Sequence, residues 1–139
     1  MIESDDLKEL VAAWFGAVSR GDASLIDRHV PLDSRVRLVG SDPGEWIAGG
    51  AAVAEFLRGE VEGSGGNATF SPADIEAFEE DGVGWAATRL TITLPDGLSI
   101  SPRWTAVFHR EGDTWKFVQT HASIAVPNGE AGWTYGPEG

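Results

Sequence analysis

The side chains best suited to acid–base chemistry lie near the carboxyl end of the chain. Gln119, His121 and Ser123 alternate along one predicted strand, so their side chains share one face of it. A histidine titrates near neutral pH and, in an apolar pocket, can serve as a general acid or base. The same spacing fits a core histidine that is hydrogen-bonded to a neighbouring hydroxyl or carbonyl group, and we favour this structural interpretation over catalysis.

Arg89 and Asp74 form a second candidate pair, because we expect them to lie opposite each other on neighbouring strands. A guanidinium group in a pocket can anchor a carboxylate or an enolate while the aspartate holds it in place. An ion pair closed on itself at the edge of the sheet fits the sequence equally well. The pairing depends on strand register, since a slip of one residue turns a side chain to the other face.

The segment GSDPGEW, residues 40–46, places two acids, a proline, two glycines and a tryptophan in seven positions. Asp42 is a candidate base, but aspartate before proline commonly bonds nearby backbone amides in a turn, and we favour that role. We expect Pro43 and Gly44 to reverse the chain. Trp46 would then fold inward over the mouth of a pocket.

No metal or cofactor site is predicted. The histidines, at positions 29, 109 and 121, are far apart in the predicted topology, and the chain has no cysteine. The absence of cysteine removes disulfides and thiolate ligands together. The glycine patterns that bind nucleotide phosphates do not occur either. We therefore expect neither a metal nor a cofactor.

Length and charge restrict the class of protein. A chain of 139 residues fits one domain with a single core. The net charge is −12, with 22 acids against 10 bases, so the surface repels nucleic acids and anionic lipids. The amino terminus does not resemble a secretion signal, and no apolar run reaches the length of a membrane span. We expect a cytoplasmic protein without nucleic-acid or membrane partners.

Helices occupy most of the first half of the predicted fold. Apolar residues recur at helical spacing over the first 20 positions, with Ser4 as the cap and Gly21 as the stop. A shorter helix is predicted between Asp22 and Pro31, and a strand over 34–40 follows. The third helix, after residues 40–46, is predicted from its apolar stripe of Val53, Phe56, Leu57 and Val61.

Four strands make up the second half. The hydrophobic period changes to two, and turn dipeptides divide this half into strands over about 68–79, 83–94, 98–110 and 114–125. The dipeptides are Asp81-Gly82, Asp96-Gly97 and Gly112-Asp113. Helices followed by a long antiparallel meander predict an α+β fold.

Two-residue turns would set the register of the whole meander. They place Asp74, Arg89, Trp104 and His121 in one row, with Trp85 and Gln119 in neighbouring rows of the same face. We expect the helices to cover this aromatic face and to leave a pocket there. The opposite face would be flat and apolar, which predicts a homodimer packed sheet to sheet. The residues expected on that second face are Thr88, Leu90, Ile92, Thr105, Val107, Val118, Thr120, Ala122 and Ile124.

These features resemble the SnoaL-like division of the nuclear transport factor 2-like superfamily. The resemblance rests on the element order and on GSDPGEW followed by IAGG before a helix. It rests also on Trp85, on Arg89-Leu90-Thr91, and on Trp115 followed by His121-Ala122-Ser123. It covers the chain to about Pro127, so we expect a domain over 1–127 and a loose tail over 128–139. The resemblance implies a cone, in which three amino-terminal helices close a curved, mainly antiparallel sheet around a cavity, and usually a dimer.

The resemblance does not imply one reaction, since the superfamily includes cyclases, isomerases, dehydratases and proteins that only bind or assemble. The first hypothesis is a domain that binds a small, largely apolar molecule without chemistry. The second is a cofactor-independent isomerase, cyclase or dehydratase, with His121 or Asp42 as base and Arg89 as electrostatic partner. A purely assembling role through the flat face is the third. The expected ligand contacts are Trp46, Asp74, Trp85, Trp104, Gln119 and Ser123.

Overall fold

The computed structural model describes residues 1–133 and has the predicted α+β cone, in which helices cover one face of a curved sheet. The helices are α1 (Asp5–Ser19), α2 (Ser24–His29) and α3 (Gly50–Ser64). The strands are β1 (Ile2–Glu3), β2 (Arg37–Val39), β3 (Trp46–Ala48), β4 (Thr69–Glu80), β5 (Val83–Thr93), β6 (Ser99–Ile100), β7 (Arg103–Glu111) and β8 (Thr114–Ser123). The predicted meander strands agree with β4 to β8 to within about two residues, whereas β3 was not predicted. The tail beyond residue 133, with Tyr135, lies outside the described residues.

The first helix forms for the reasons that its sequence indicates. The Ser4 hydroxyl accepts a hydrogen bond from the Leu7 N–H at 3.2 Å, which satisfies one of the free amides of the first turn. Gly21 follows the helix with a φ of 71°, a left-handed conformation that commonly ends helices and that glycine adopts without strain. The stripe facing the sheet is buried and consists of Leu7, Val11, Trp14 and Phe15.

The sheet has the order β1-β4-β5-β7-β8-β2-β3, with β6 pairing with β5. The contact between β2 and β8 is parallel and the other pairs are antiparallel. We call the face that α1 covers the inner face and the opposite side the outer face. Trp104, Ala106 and Phe108 of β7 are buried on the inner face, and they mark where the core lies.

The turns decide the register. Asp81 and Gly82 both have positive φ, 52° and 81°, as the expected type I′ turn requires. Gly112 alone has positive φ in the last turn, and Glu111 pairs with Thr114, as expected for two central residues. In the middle hairpin the Leu94 N–H donates to the Leu98 carbonyl, so three residues form the turn. The expectation of two was wrong there, and β7 is shifted by one residue against β5.

Two β-bulges shift the register further. In β4 the pairing changes between Ala73 and Glu76, where Asp74 has a φ of 52°. In β8 the residue Val118 is extra, because Phe117 and Gln119 pair with adjacent residues of β7. A bulge bends its strand and turns the residues beyond it to the other face.

The predicted row of Asp74, Arg89, Trp104 and His121 is therefore wrong. Arg89 lies opposite Ala73 and Arg103. Trp104 lies instead between Thr88 and Ala122 on the inner face, and His121 pairs with Thr105 on the outer face. The residues expected together on one flat apolar face lie on both faces of the sheet. Thr105 and Val107 lie on the outer face. The residues on the inner face are Thr88, Leu90, Ile92, Thr120, Ala122 and Ile124.

Candidate functional site: a cavity between helices and sheet

A cavity of about 580 Å³ lies between the helices and the inner face of the sheet. Its volume is in the range that small-molecule sites usually have, about 300–1,000 Å³. The inner strands contribute mainly apolar side chains, and α1 and α3 close the opposite side. The principal apolar lining residues are Trp14, Phe15, Val18, Leu38, Phe56, Leu57, Val61, Phe70, Leu90, Ile92, Ile100, Trp104, Ala122 and Ile124.

Aromatic contacts hold one wall of the cavity in place. The rings of Phe15 and Trp104 meet edge to face, with their centroids 5.0 Å apart at 82°. Behind them the ring of Phe117 packs against Trp14 and Trp104, with ring centroids 4.7 Å and 6.3 Å apart, respectively. Edge-to-face pairs are attractive beyond their buried area, and they restrict ring rotation. This wall of the cavity is therefore apolar and held in place by ring contacts.

Glu45 reaches the cavity from the loop that joins β2 to β3. The Gly40 N–H donates to the Glu45 carbonyl at 2.7 Å, which closes the loop. The Asp42 N–H then donates to Oε1 of Glu45 at 3.1 Å. A side chain at Gly40 would collide with Glu45, so the glycine lets the glutamate lie across the backbone. The loop thus fixes the position of the Glu45 carboxylate.

Glu60 projects from α3 into the same lining. Partial burial raises the pKa of its carboxyl above the usual value, and the negative charge of Glu45 raises it further. The residue keeps contact with solvent, which places its carboxyl at an opening of the cavity. Glu45 and Glu60 are therefore close enough to influence each other, and they are the charged residues of the lining.

The sequence contained a signal for Glu60 that the prediction did not use. Val53, Phe56, Leu57 and Val61 form the apolar stripe of α3, and Glu60 occupies position i+7 of the same stripe. A carboxylate on the apolar side of a helix indicates a polar group directed at the body of the protein. Glu45 had no comparable signal, because the loop geometry that positions it is visible only in the structure.

Among the predicted site residues, Trp104 alone lines the cavity. Trp85, Gln119 and His121 line a separate, shallow groove of about 290 Å³ on the outer face. Ser123 lies on that face as well, where its hydroxyl accepts a hydrogen bond from Nε of Arg103 at 3.2 Å. The predicted acid–base pocket around His121 was therefore misplaced by the register.

The remaining predicted residues are also away from the cavity. Arg89 and Asp74 are exposed and form no ion pair with each other. Trp46 does not fold over the mouth: it pairs with Val39 at the sheet edge and is 69% exposed. Asp42 is a turn residue, since its carbonyl accepts from the Glu45 N–H at 2.9 Å. This last interpretation agrees with the turn role that the sequence favoured.

His29 is a buried histidine of the core and not of the cavity lining. Its Nδ1 lies 2.7 Å from the Trp115 carbonyl, to which it donates when protonated at that nitrogen. Burial lowers the pKa of His29, so the neutral ring is favoured. Within residues 1–133 no group of three or more metal-binding side chains comes together, and no helix in that range has the length and hydropathy of a membrane span.

The chain belongs to the SnoaL-like domain family, whose model matches residues 7–127. This match and the fold confirm the resemblance that the sequence indicated. No curated protein is significantly similar to the chain.

Solved structures of the nuclear transport factor 2-like kind share the fold. A protein of unknown function from Pseudomonas putida has a TM-score of 0.73 at 16% identity, over 85% of this chain and 83% of its own. An uncharacterised protein with a cystatin-like fold from Caulobacter vibrioides has a TM-score of 0.72 at 18% identity, over 92% and 93%. A suggested dehydratase from Streptomyces avermitilis has a TM-score of 0.71 at 22% identity, over 88% and 95%. At these identities the likeness extends to the fold alone.

Proposed function

We propose that this protein binds a small, largely apolar molecule in the cavity between its helices and its sheet. The observation that carries the proposal is the cavity itself: about 580 Å³ of space in a domain whose other inner side chains are closely packed. The cavity opens to solvent, so its apolar lining is in contact with water when no ligand is bound. A ligand that covers this lining gains the free energy of apolar burial.

The shape of the cavity supports binding without a large rearrangement. Its walls come from regular elements, namely α1, α3 and the central strands, and aromatic contacts brace the side of Phe15 and Trp104. Sites on such elements hold their geometry better than sites on loops. The ligand would bury its apolar body against the sheet and leave a polar end near Glu60.

A matched pair of variants tests the proposal. Ala122→Phe places a ring in the cavity, whereas Ala52→Phe adds the same ring on the exposed side of α3. In a thermal-shift screen of small apolar compounds, we expect hits that raise the Tm of the wild type and of Ala52→Phe. These compounds should leave the Tm of folded Ala122→Phe unchanged.

Two results would contradict binding in the cavity. One is an equal Tm increase in Ala122→Phe. The other is a screen without hits, together with no small molecule released when the purified protein is denatured and its extract is examined by mass spectrometry.

If a reaction takes place in the same pocket, we propose Glu60 as its general base. It is the lining residue whose pKa is shifted, and a carboxyl with a raised pKa is a better base near neutral pH than an ordinary one. An isomerase or dehydratase would then move a proton from a carbon atom of the ligand to this carboxylate. Screen hits with an acidic C–H bond, incubated in D₂O, should gain deuterium with the wild type and not with Glu60→Gln. Binding without exchange would leave the protein a binding domain.

We also propose a homodimer through the outer face. Trp46, Val83 and Val107 expose apolar surface there, next to the groove that Trp85 lines. Apolar patches on a sheet face commonly mark a partner surface. Light scattering at micromolar concentration should give the mass of two chains, and Val107→Glu should reduce it to one while Ala52→Glu keeps two. A wild-type mass of one chain would overturn the dimer and leave the cavity proposal standing.

A further inference from the structure

The charged groups of the cavity all have the same sign. Glu45 and Glu60 are the lining residues that carry a full charge, and the lining contains no lysine, arginine or histidine among residues 1–133. The remaining polar contributions are hydroxyl groups such as those of Ser41 and Thr120 and the backbone. A ligand with a carboxylate or a phosphate would be repelled by both glutamates and would find no cationic partner in this lining.

Within residues 1–133 neither glutamate has a cationic partner. No ion pair among residues 1–133 includes Glu45 or Glu60. Within the described residues the Glu45 carboxylate accepts one hydrogen bond, from the Asp42 N–H to Oε1, and its Oε2 accepts none. Two carboxylates that influence each other, at the edge of an apolar space, are stabilised by any positive charge placed between them.

We infer that the cavity accepts an apolar molecule bearing a protonated amine, with the apolar body against Trp104 and the ammonium group between Glu60 and Glu45. The inference rests on the proposed function, because it concerns the ligand class of the same cavity. An ammonium group has up to three donors, and charge-assisted hydrogen bonds to carboxylates are the stronger kind. Burial and the charge of Glu45 both raise the pKa of the Glu60 carboxyl, and a positive charge between the two carboxylates would offset both effects.

Position in the fold also favours a cation at this end of the cavity. Glu60 lies on α3 one turn after Phe56 and Leu57, so a molecule that contacts these apolar side chains extends directly to the carboxylate. Glu45 approaches from a different element, the loop between β2 and β3. A ligand with an apolar end and a cationic end therefore matches the polarity of the lining along its length.

Three compounds with the same eight-carbon chain separate charge from apolar burial: 1-octylamine, 1-octanol and octanoate. Titration calorimetry of the wild type should give tighter binding of octylamine than of octanol, by about tenfold for one charge-assisted contact near solvent. Octanoate should bind weakest. In Glu60→Gln the preference for octylamine over octanol should fall to about twofold or less, with the affinity for octanol unchanged.

The acidic surface as a whole also attracts cations, so a charge-matched control is needed. Glu62→Gln removes the same charge two residues further along α3, at an exposed position outside the lining. We expect it to keep the octylamine preference of the wild type. Glu45→Gln should lower the preference, and Ala122→Phe should abolish the binding of octylamine and octanol alike.

The outcomes distinguish the two proposals. Equal binding of octylamine and octanol by the wild type, or a loss of preference in Glu62→Gln as large as in Glu60→Gln, would overturn the amine assignment and leave an apolar binding site. Binding of octylamine that Ala122→Phe does not weaken would also overturn it. If none of the compounds binds, and the screen for other apolar ligands fails as well, the proposed function itself falls.

Discussion

The inner and outer faces of the sheet draw on the same strands but have opposite characters. On β7 the inner residues Trp104 and Phe108 are buried, while their neighbours Thr105 and Val107 are exposed. The outer face has the histidine, the arginine and the glutamine that suggested chemistry. The inner face has the space in which a ligand can bind. The reactive side-chain types therefore do not surround the cavity, which is evident only from the unfilled volume between helices and sheet.

The largest expected difference between the faces is in stability. Phe108→Ala should lower the free energy of unfolding by about 3–5 kcal/mol, because the fully buried ring would leave a cavity. Its neighbour Val107 is 36% exposed, and Val107→Ala should cost about 1 kcal/mol or less. Urea denaturation of both variants measures the contrast. Similar losses would mean that the outer face is as closely packed as the inner one.

A substitution at the bulge in β4 should lower the free energy of unfolding by less than Phe108→Ala does. Asp74 has a φ of 52°, which a β-branched residue adopts only with strain. Asp74→Val should therefore destabilise the protein by about 1–2 kcal/mol. Glu76→Val, on the regular part of the same strand, should be neutral or slightly favourable. If Asp74→Val unfolds at the same urea concentration as Glu76→Val, the bulge is not where the structure has it.

The buried histidine of the core, His29, should make the stability of the fold depend on pH. Burial lowers the pKa of His29, so below about pH 6.5, the ordinary pKa, the unfolded chain binds more protons than the native one. Stability attributable to His29 is complete above that pH and is lost as the pH falls. His29→Gln should flatten the stability profile between pH 7.5 and 5, as urea denaturation at several pH values would measure. Parallel profiles for the wild type and His29→Gln would contradict this.

The smallest effect is expected for the residue that looked most catalytic. His121 is exposed on the outer face and does not line the cavity. His121→Asn should leave the affinity of any cavity ligand within about twofold of the wild type, since only packed or hydrogen-bonded contacts change affinity appreciably. Calorimetry with the best screen hit measures it. A tenfold loss of affinity would indicate that His121 takes part in ligand binding.

Much of the fold followed from local chemistry. The cap at Ser4, the stop at Gly21 and the type I′ turn at Asp81-Gly82 each depend on residues adjacent in sequence, and each prediction was confirmed. The middle turn also contained its signal, since Pro95 suits the first central position of a type I turn, which a glycine then completes. The prediction took Asp96-Gly97 alone as the turn and therefore placed β7 one residue out of register against β5.

The site could not be predicted in the same way, because its position depends on accumulated register. The bulge in β8 decides whether His121 or Ala122 lies beside Trp104 on the inner face, and the extra turn residue before β7 decides whether Arg89 or Thr88 does. The bulge at Val118 has no distinctive sequence, whereas the three-residue turn before β7 was marked by Pro95. Since side chains alternate every residue, each shift by one reverses a whole strand.

The sequence by itself determined the order of the helices and the main strands, the α+β class and the acidic character of the surface, because these depend on composition, periodicity and local turn chemistry. The SnoaL-like family followed from the resemblance of its motifs, which the family model then confirmed. Only the tertiary structure decided which face of the sheet encloses the cavity and which charged side chains line it. Glu45 and Glu60 are 15 residues apart and on different elements, and they share one opening because a loop and a helix converge there. Convergence of that kind is a property of packing in three dimensions, and no period along the chain encodes it.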